Sequence, residues 1–111
     1  MAEEIKRFDM VSATDVGRVR SHNEDSIAAD PDIGVATLAD GMGGYNAGEV
    51  ASGIAVAMIP AEMRKLRAEL AIDQAPDSEI EKRVEEQARK VNVAIYNAAQ
   101  KESQYAGMGT T

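Results

Sequence analysis

The pattern of apolar and polar positions changes period once along the chain. Up to about residue 45 the apolar stretches are short and lie among valine, glycine and aspartate; from about residue 46 alanine, glutamate, lysine and methionine dominate. Short apolar stretches broken by turn residues predict strands, and apolar residues recurring every three or four positions predict helices. The chain therefore reads as a strand-rich part followed by a helix-rich part, an α+β arrangement.

Three strands are predicted. The first covers Phe8–Thr14, with Phe8, Met10 and Val11 as its apolar residues; the second is short, around Ser26–Ala29; the third is Gly34–Ala39. Asp30-Pro31-Asp32 lies between the last two. Proline presets the backbone of a tight turn and aspartate bonds its own backbone, so these strands form an antiparallel hairpin.

Two helices follow. Asn46 and Glu49 have capping-box spacing, which starts the first helix near Asn46, with Val50, Ile54, Ala57 and Met58 on one face. Pro60 is expected to kink or interrupt it before the pattern resumes through Leu66 and Leu70. Ser78 and Glu81 repeat the capping-box spacing. Beyond them Ile80, Val84, Ala88, Val91, Ile95 and Ala98 form a helical stripe, opposite a charged face that includes Glu81, Lys82, Glu85, Glu86 and Arg89. Gly107 is a suitable stop.

Composition narrows the function. The 111 residues carry a net charge of −7, which opposes binding to nucleic acid or to an anionic membrane and suits a protein that holds cations. With 44% apolar residues the chain can form a core, and with no cysteine it has neither disulfides nor a thiolate metal site. No apolar segment follows Met1 as in a secretory signal, and the longest apolar run, Ile54–Ala61, is too short to span a bilayer. A cytoplasmic protein is expected.

Two stretches carry candidate chemistry. In Leu38-Ala-Asp40-Gly41-Met-Gly-Gly44-Tyr-Asn-Ala-Gly48-Glu49, a strand ends in an aspartate, a glycine-rich turn follows, and a helix begins. An aspartate at a strand end is held rigidly, glycines admit a ligand close to the backbone, and oxygen-only ligation suits Mg2+ or Mn2+. In Arg20-Ser-His22-Asn-Glu24-Asp25, an arginine suited to bidentate phosphate binding precedes an acidic pair. Metal-binding oxygens beside a phosphate-binding cation suggest metal-assisted phosphoester chemistry. Taken one at a time, Asp40 also reads as a plain turn residue, Arg20 as a member of a surface ion pair, Glu49 as a favourable charge at a helix start, and His22 as a solvated loop residue or one at the rim of the site.

Three strings in order, R-S-H-N-E-D, D-G-M-G-G-Y-N-A-G-E-V-A-S and G-M-G-T-T, are separated by the two predicted helices. Together they resemble successive motifs of the type 2C (PPM) protein phosphatases, in their bacterial form, from about Met10 to Thr111. The resemblance implies the N-terminal part of a single catalytic domain, residues 1–111, within a four-layer α/β/β/α sandwich. It implies hydrolysis of phosphoserine and phosphothreonine on proteins by a water held between two Mn2+ or Mg2+ ions. Asp40 would bridge both ions, and Gly41 would give one its backbone carbonyl. Glu24 and Asp25 would complete the acidic cluster, and Arg20 would bind the substrate phosphate. Met42 stands where some members carry a histidine proposed to protonate the leaving group. Family members run to about twice this length and supply further aspartates later. A chain ending at Thr111 is therefore expected to bind metal weakly, to be inactive alone, and to self-associate through an uncovered sheet face. Phosphoprotein substrates of serine/threonine kinases are the implied partners. The alternatives are a catalytically inactive truncated relative acting as a binding or dimerising module, and an unrelated acidic cation-binding domain.

Overall fold

A computed structural model describes residues 9–44, 46–70 and 74–111. The element order is β1 (Asp25–Asp30), β2 (Val35–Met42), α1 (Ala47–Glu69), α2 (Asp77–Lys101), one 3-10 turn (Ser103–Tyr105) and β3 (Gly109–Thr110). The strands form one antiparallel sheet in the order β1-β2-β3, and the fold class is α+β as expected.

The predicted hairpin forms in register, with Asp25 opposite Asp40, Ile27 opposite Leu38 and Asp30 opposite Val35. Its loop turns because Asp30 Oδ1 accepts the Asp32 N–H at 3.1 Å and Gly34 takes a left-handed φ of 69°. The loop is also clamped from α1: Arg64 pairs with the Asp30 carboxylate, and Arg67 donates to the Asp32 carbonyl.

The first predicted strand does not form. Phe8 lies outside the described residues, and residues 9–14 have no strand structure; Val11 is 99% exposed. What ties this segment down at Thr14 is a side-chain bond, from Asn23 Nδ2 to Thr14 Oγ1 at 2.8 Å, and not a strand ladder.

Helix α1 begins after Asn46 as predicted, but no capping box forms. Asn46 is left-handed, φ 67°, and makes no side-chain cap bond; the Ala47 N–H donates instead to the Gly44 carbonyl at 2.9 Å. Pro60 does not interrupt the helix. It forfeits one backbone bond, yet the helix is held on both sides: residues 47–55 pack on the sheet, while Glu62, Arg64 and Arg67 bond to α2 and the hairpin loop. The most buried face is also not the predicted one. Ala47, Gly48, Ala51, Ser52 and Ala55 are buried, Val50, Ile54 and Met58 are half-buried, and Ala57 is exposed. Small side chains at four-residue spacing let α1 approach β2 closely, and β2 meets it with Ala39 and Gly41.

Helix α2 starts one residue before Ser78, with Pro76 as its cap, so the Ser78–Glu81 box does not form either. Asp77 and Glu79 supply favourable negative charge in the first turn. It ends at Lys101, ahead of Gly107, whose φ of 79° belongs to the turn that leads from the 3-10 segment into β3. Because α1 already covers the sheet, the apolar stripe of α2 packs mainly on α1 and the 3-10 turn. Only its C-terminal half is deeply covered: Val91, Ile95 and Ala99 are buried, whereas Val84 and Ala88 are exposed. The buried Glu62 of α1 joins the helices through Lys90 at 3.1 Å and is 3.6 Å from Lys65. No helix among the described residues is long and apolar enough to cross a membrane.

Two outcomes follow from this packing. Ala51→Leu should cost about 1–3 kcal/mol in urea unfolding, because the α1–β2 contact has no room for extra methyl groups. The hydrogen bond from Lys90, with the charges of Lys65 and Lys90, holds the Glu62 carboxyl below its usual pKa despite its burial. A lowered folded pKa stabilises the fold above the unfolded value and is lost as pH falls through the folded one. The stability gap between wild type and Glu62→Gln should therefore be full near neutral pH and close below about pH 4. Urea midpoints measured across that range test it.

Candidate metal and phosphate site

The site is built where β2 runs into α1. The Gly41 N–H donates to the Glu24 carbonyl at 3.1 Å, extending the β1–β2 pairing by one residue. On its helix side Gly41 meets the first turn of α1. A Cβ there would lie 2.0 Å from the Gly48 carbonyl oxygen and 2.6 Å from the Glu24 carbonyl oxygen. A Cβ on Gly48 would lie 2.7 Å from Glu24 Oε2. Gly41 requires glycine on steric grounds alone, because the atoms it would strike are backbone; at Gly48 the Glu24 side chain would have to move aside.

Strand alternation then sorts the acidic residues. Asp25 and Asp40 are direct cross-strand partners and share the face turned away from α1. Glu24, one residue earlier, turns its carboxylate to the other side, against Gly48 at the start of α1, where the helix dipole favours it. The predicted acidic cluster is thus divided: Asp25 joins Asp40, and Glu24 joins Gly41 and Gly48. Loss of solvent, then the charge and hydrogen bond of Asp40, push the Asp25 carboxyl above its ordinary pKa, while the Arg20 guanidinium pulls it down. Arg20 thus favours the ionised form of Asp25. It also lines an open hollow of about 330 Å³ with Val19, Ser21, His22 and Glu24. His22 Nδ1 lies 3.6 Å from Glu49 Oε1.

Two features of the site escape a reading of the pattern. The first is β3. Asp40 and Thr111 exchange backbone hydrogen bonds of 2.8 and 3.0 Å, and Thr110 Oγ1 also donates to the Asp40 carbonyl at 3.0 Å. Asp40 is thereby held between Asp25 on one side and Thr111 on the other; two threonines after a glycine were the available signal. The second is a hydroxyl pair. The wholly buried Ser52 donates to the Glu49 carbonyl at 3.3 Å, which spends its only proton, so at 3.0 Å the Ser26 hydroxyl donates to it. That bond ties the start of β1 to the second turn of α1.

The donors are all oxygen, and two like-charged carboxylates side by side are the arrangement a hard divalent cation relieves. The Asp25–Asp40 pair fits such an ion. Among the described residues no group of three or more acidic or histidine side chains converges on one point.

Known proteins narrow the meaning of this geometry. No family model matches. A serine/threonine phosphatase, Stp, of Listeria welshimeri is 37% identical over 101 residues, covering 88% of this chain and 38% of that protein. The serine/threonine protein phosphatase PstP of Mycobacterium tuberculosis is 38% identical over 98 residues, covering 88% of this chain and 17% of its own. A putative 2C-type phosphatase of Streptococcus pyogenes is 37% identical over 101 residues, again with 88% of this chain and 38% of the relative. The crystal structure of the mycobacterial PstP superposes with a TM-score of 0.64 at 36% identity, over 87% of this chain and 37% of that one. The chain is related by descent to part of the type 2C protein phosphatases. It spans about 38% of the length of the Listeria relatives it matches.

The stretch from Gly41 to Gly48 yields a steric prediction. Gly41→Ala should cost about 3 kcal/mol or more, because the backbone atoms it strikes cannot rotate away. Gly53→Ala meets no atom within 4 Å inside α1 and should stabilise by about 0.5–1 kcal/mol. Thermal unfolding of the two variants distinguishes a steric requirement from a general intolerance of substitution.

Proposed function

We propose that the protein hydrolyses phosphoserine and phosphothreonine on other proteins in a reaction that requires Mn2+ or Mg2+. The observation that carries this reading is the cross-strand Asp25–Asp40 pair of β1 and β2, with the Arg20 guanidinium favouring the ionised form of Asp25. The relatives named serine/threonine phosphatases, at 36–38% identity, support the reaction class. On this reading residues 1–111 are the N-terminal part of one catalytic domain, a four-layer sandwich whose inner face bears Asp25 and Asp40. A cytoplasmic location, with kinase-phosphorylated proteins as substrates, completes the proposal.

Asp40 and Asp25 would hold the two ions, assisted by the Gly41 carbonyl, with Glu24 supporting from the helix side. The bound ions supply Lewis acidity that lowers the pKa of water to near neutral. Arg20 would grip two phosphate oxygens with its planar fork and so orient phosphorus for in-line attack. Met42 offers no proton to the departing serine or threonine oxygen, which leaves solvent water as the donor.

Steady-state kinetics on the whole protein with a phosphopeptide test the assignment. Removing divalent ions with a chelator should abolish turnover, and Mn2+ should restore it. Asp40→Ala should lower kcat by about a hundredfold or more, equivalent to about 3 kcal/mol of transition-state stabilisation. Arg20→Ala should act mainly on KM, by about 10- to 100-fold, the value of a charge-assisted hydrogen bond. Equal losses of kcat in both variants would show that the two roles are wrongly divided.

A further inference from the structure

The segment ahead of β1 is a surface loop tied off at its base. Asn23 Nδ2 donates to Thr14 Oγ1 at 2.8 Å, and the Gly17 N–H donates to Asp15 Oδ1 at 2.7 Å. Between these ties the chain reads Arg18-Val19-Arg20-Ser21, and all four residues are exposed. Among the described residues neither guanidinium is held in a salt bridge, so both are open to an added anion. Ser21 lines the same hollow of about 330 Å³ as Arg20. Ser78 and Ser103 are also exposed, but Asp77, Glu79 and Glu102 adjoin them, and a phosphate added there would meet like charge.

A phosphate on Ser21 would set nearly two negative charges and three acceptor oxygens beside two cations. We propose that Ser21 is a phosphorylation site, and that its phosphate engages Arg20 and so competes with the substrate phosphate for that guanidinium. In the modification, Ser21 Oγ attacks the γ-phosphorus of ATP. The bond to the bridging oxygen breaks, ADP departs, and the kinase's base takes the hydroxyl proton. A serine kinase with an acidic peptide cleft would read Arg18 and Arg20 on the N-terminal side of the serine. Tethered one residue from Arg20, the phosphate has an effective concentration of about millimolar or more, against which a substrate must compete. The competition rests on the phosphatase reading above; the modification does not.

Two measurements on the whole protein provide the test. In the first, Asp40→Ala protein is incubated with ATP, Mg2+ and an arginine-directed serine kinase, and phosphate is located by peptide mass spectrometry. Ser21 should be modified. Adding Ser21→Ala should remove that phosphate, and adding Arg18→Ala should slow its incorporation severalfold. No phosphate on Ser21 overturns the modification. In the second, Ser21 is replaced by the non-hydrolysable phosphonate analogue of phosphoserine. KM for a phosphopeptide and the inhibition constant of inorganic phosphate should both rise about tenfold, the value of one charge-assisted hydrogen bond, with kcat little changed. Ser21→Ala should keep the KM of the unmodified protein. Unchanged KM in the phosphonate form, or a loss confined to kcat, overturns the competition. An unmodified protein that hydrolyses no phosphopeptide overturns the phosphatase reading and the competition with it, whereas phosphate found on Ser21 in the first measurement still upholds the modification.

Discussion

The approach of two glycines, Gly41 at the end of β2 and Gly48 in the first turn of α1, is the constraint on which the rest of the molecule depends. With a Cβ on Gly41 placed 2.0 Å from the Gly48 carbonyl oxygen, any side chain there would push the helix off the strand. That contact sets how deeply α1 sits on the sheet. It therefore determines why the buried face of α1 is Ala47, Ala51 and Ala55 and not its larger residues. The same approach leaves room for the Glu24 carboxylate against Gly48, while strand alternation turns Asp25 and Asp40 to the opposite face. The geometry of the site and the packing of the helix are two consequences of one steric fact.

A second layer of constraint is polar. Asp40 is held by a ladder on each side, through its register with Asp25 and its paired bonds to Thr111. Two carboxylates facing each other across a strand pair repel, and that cost is borne by the backbone bonds around them. On the proposed reading, a group that binds a cation is held in this unfavourable arrangement before the cation arrives, and the backbone bonds supply that rigidity. Farther away, the Glu62–Lys90 bond and the Arg64 and Arg67 contacts with the hairpin loop keep α1 in place past Pro60.

Much of this was legible in the chain itself. The Asp-Pro-Asp loop and the start of α1 near Asn46 follow from local chemistry and are found; Asp40, expected just past a strand ending at Ala39, lies instead inside β2, which continues to Met42 because Gly41 and Met42 pair with β3. What failed did so where local preference met tertiary packing. Asn46 and Ser78 have capping chemistry, yet a left-handed backbone at one and an earlier helix start at the other leave it unused. Hydrophobicity pointed to Val50, Ile54 and Met58 as the buried face of α1, but the closeness of the sheet favours the smallest side chains. Glu24 and Asp25 read as one acidic pair because they are adjacent. Strand alternation separates them, and no composition argument contains that fact. Strand β3 is only two residues long and depends on Asp40, seventy positions earlier, for its existence.

The central claim is that the Asp25–Asp40 pair, and not the Glu24 side of the strand, is where divalent metal binds. Anomalous diffraction from crystals of the whole protein grown with Mn2+ tests it most directly. The account predicts a manganese peak within about 2.0–2.3 Å of an Asp40 carboxylate oxygen, with the Asp25 carboxylate turned toward the same ion or its waters. Manganese found beside Glu24 and Glu49 with none at Asp40 would contradict it.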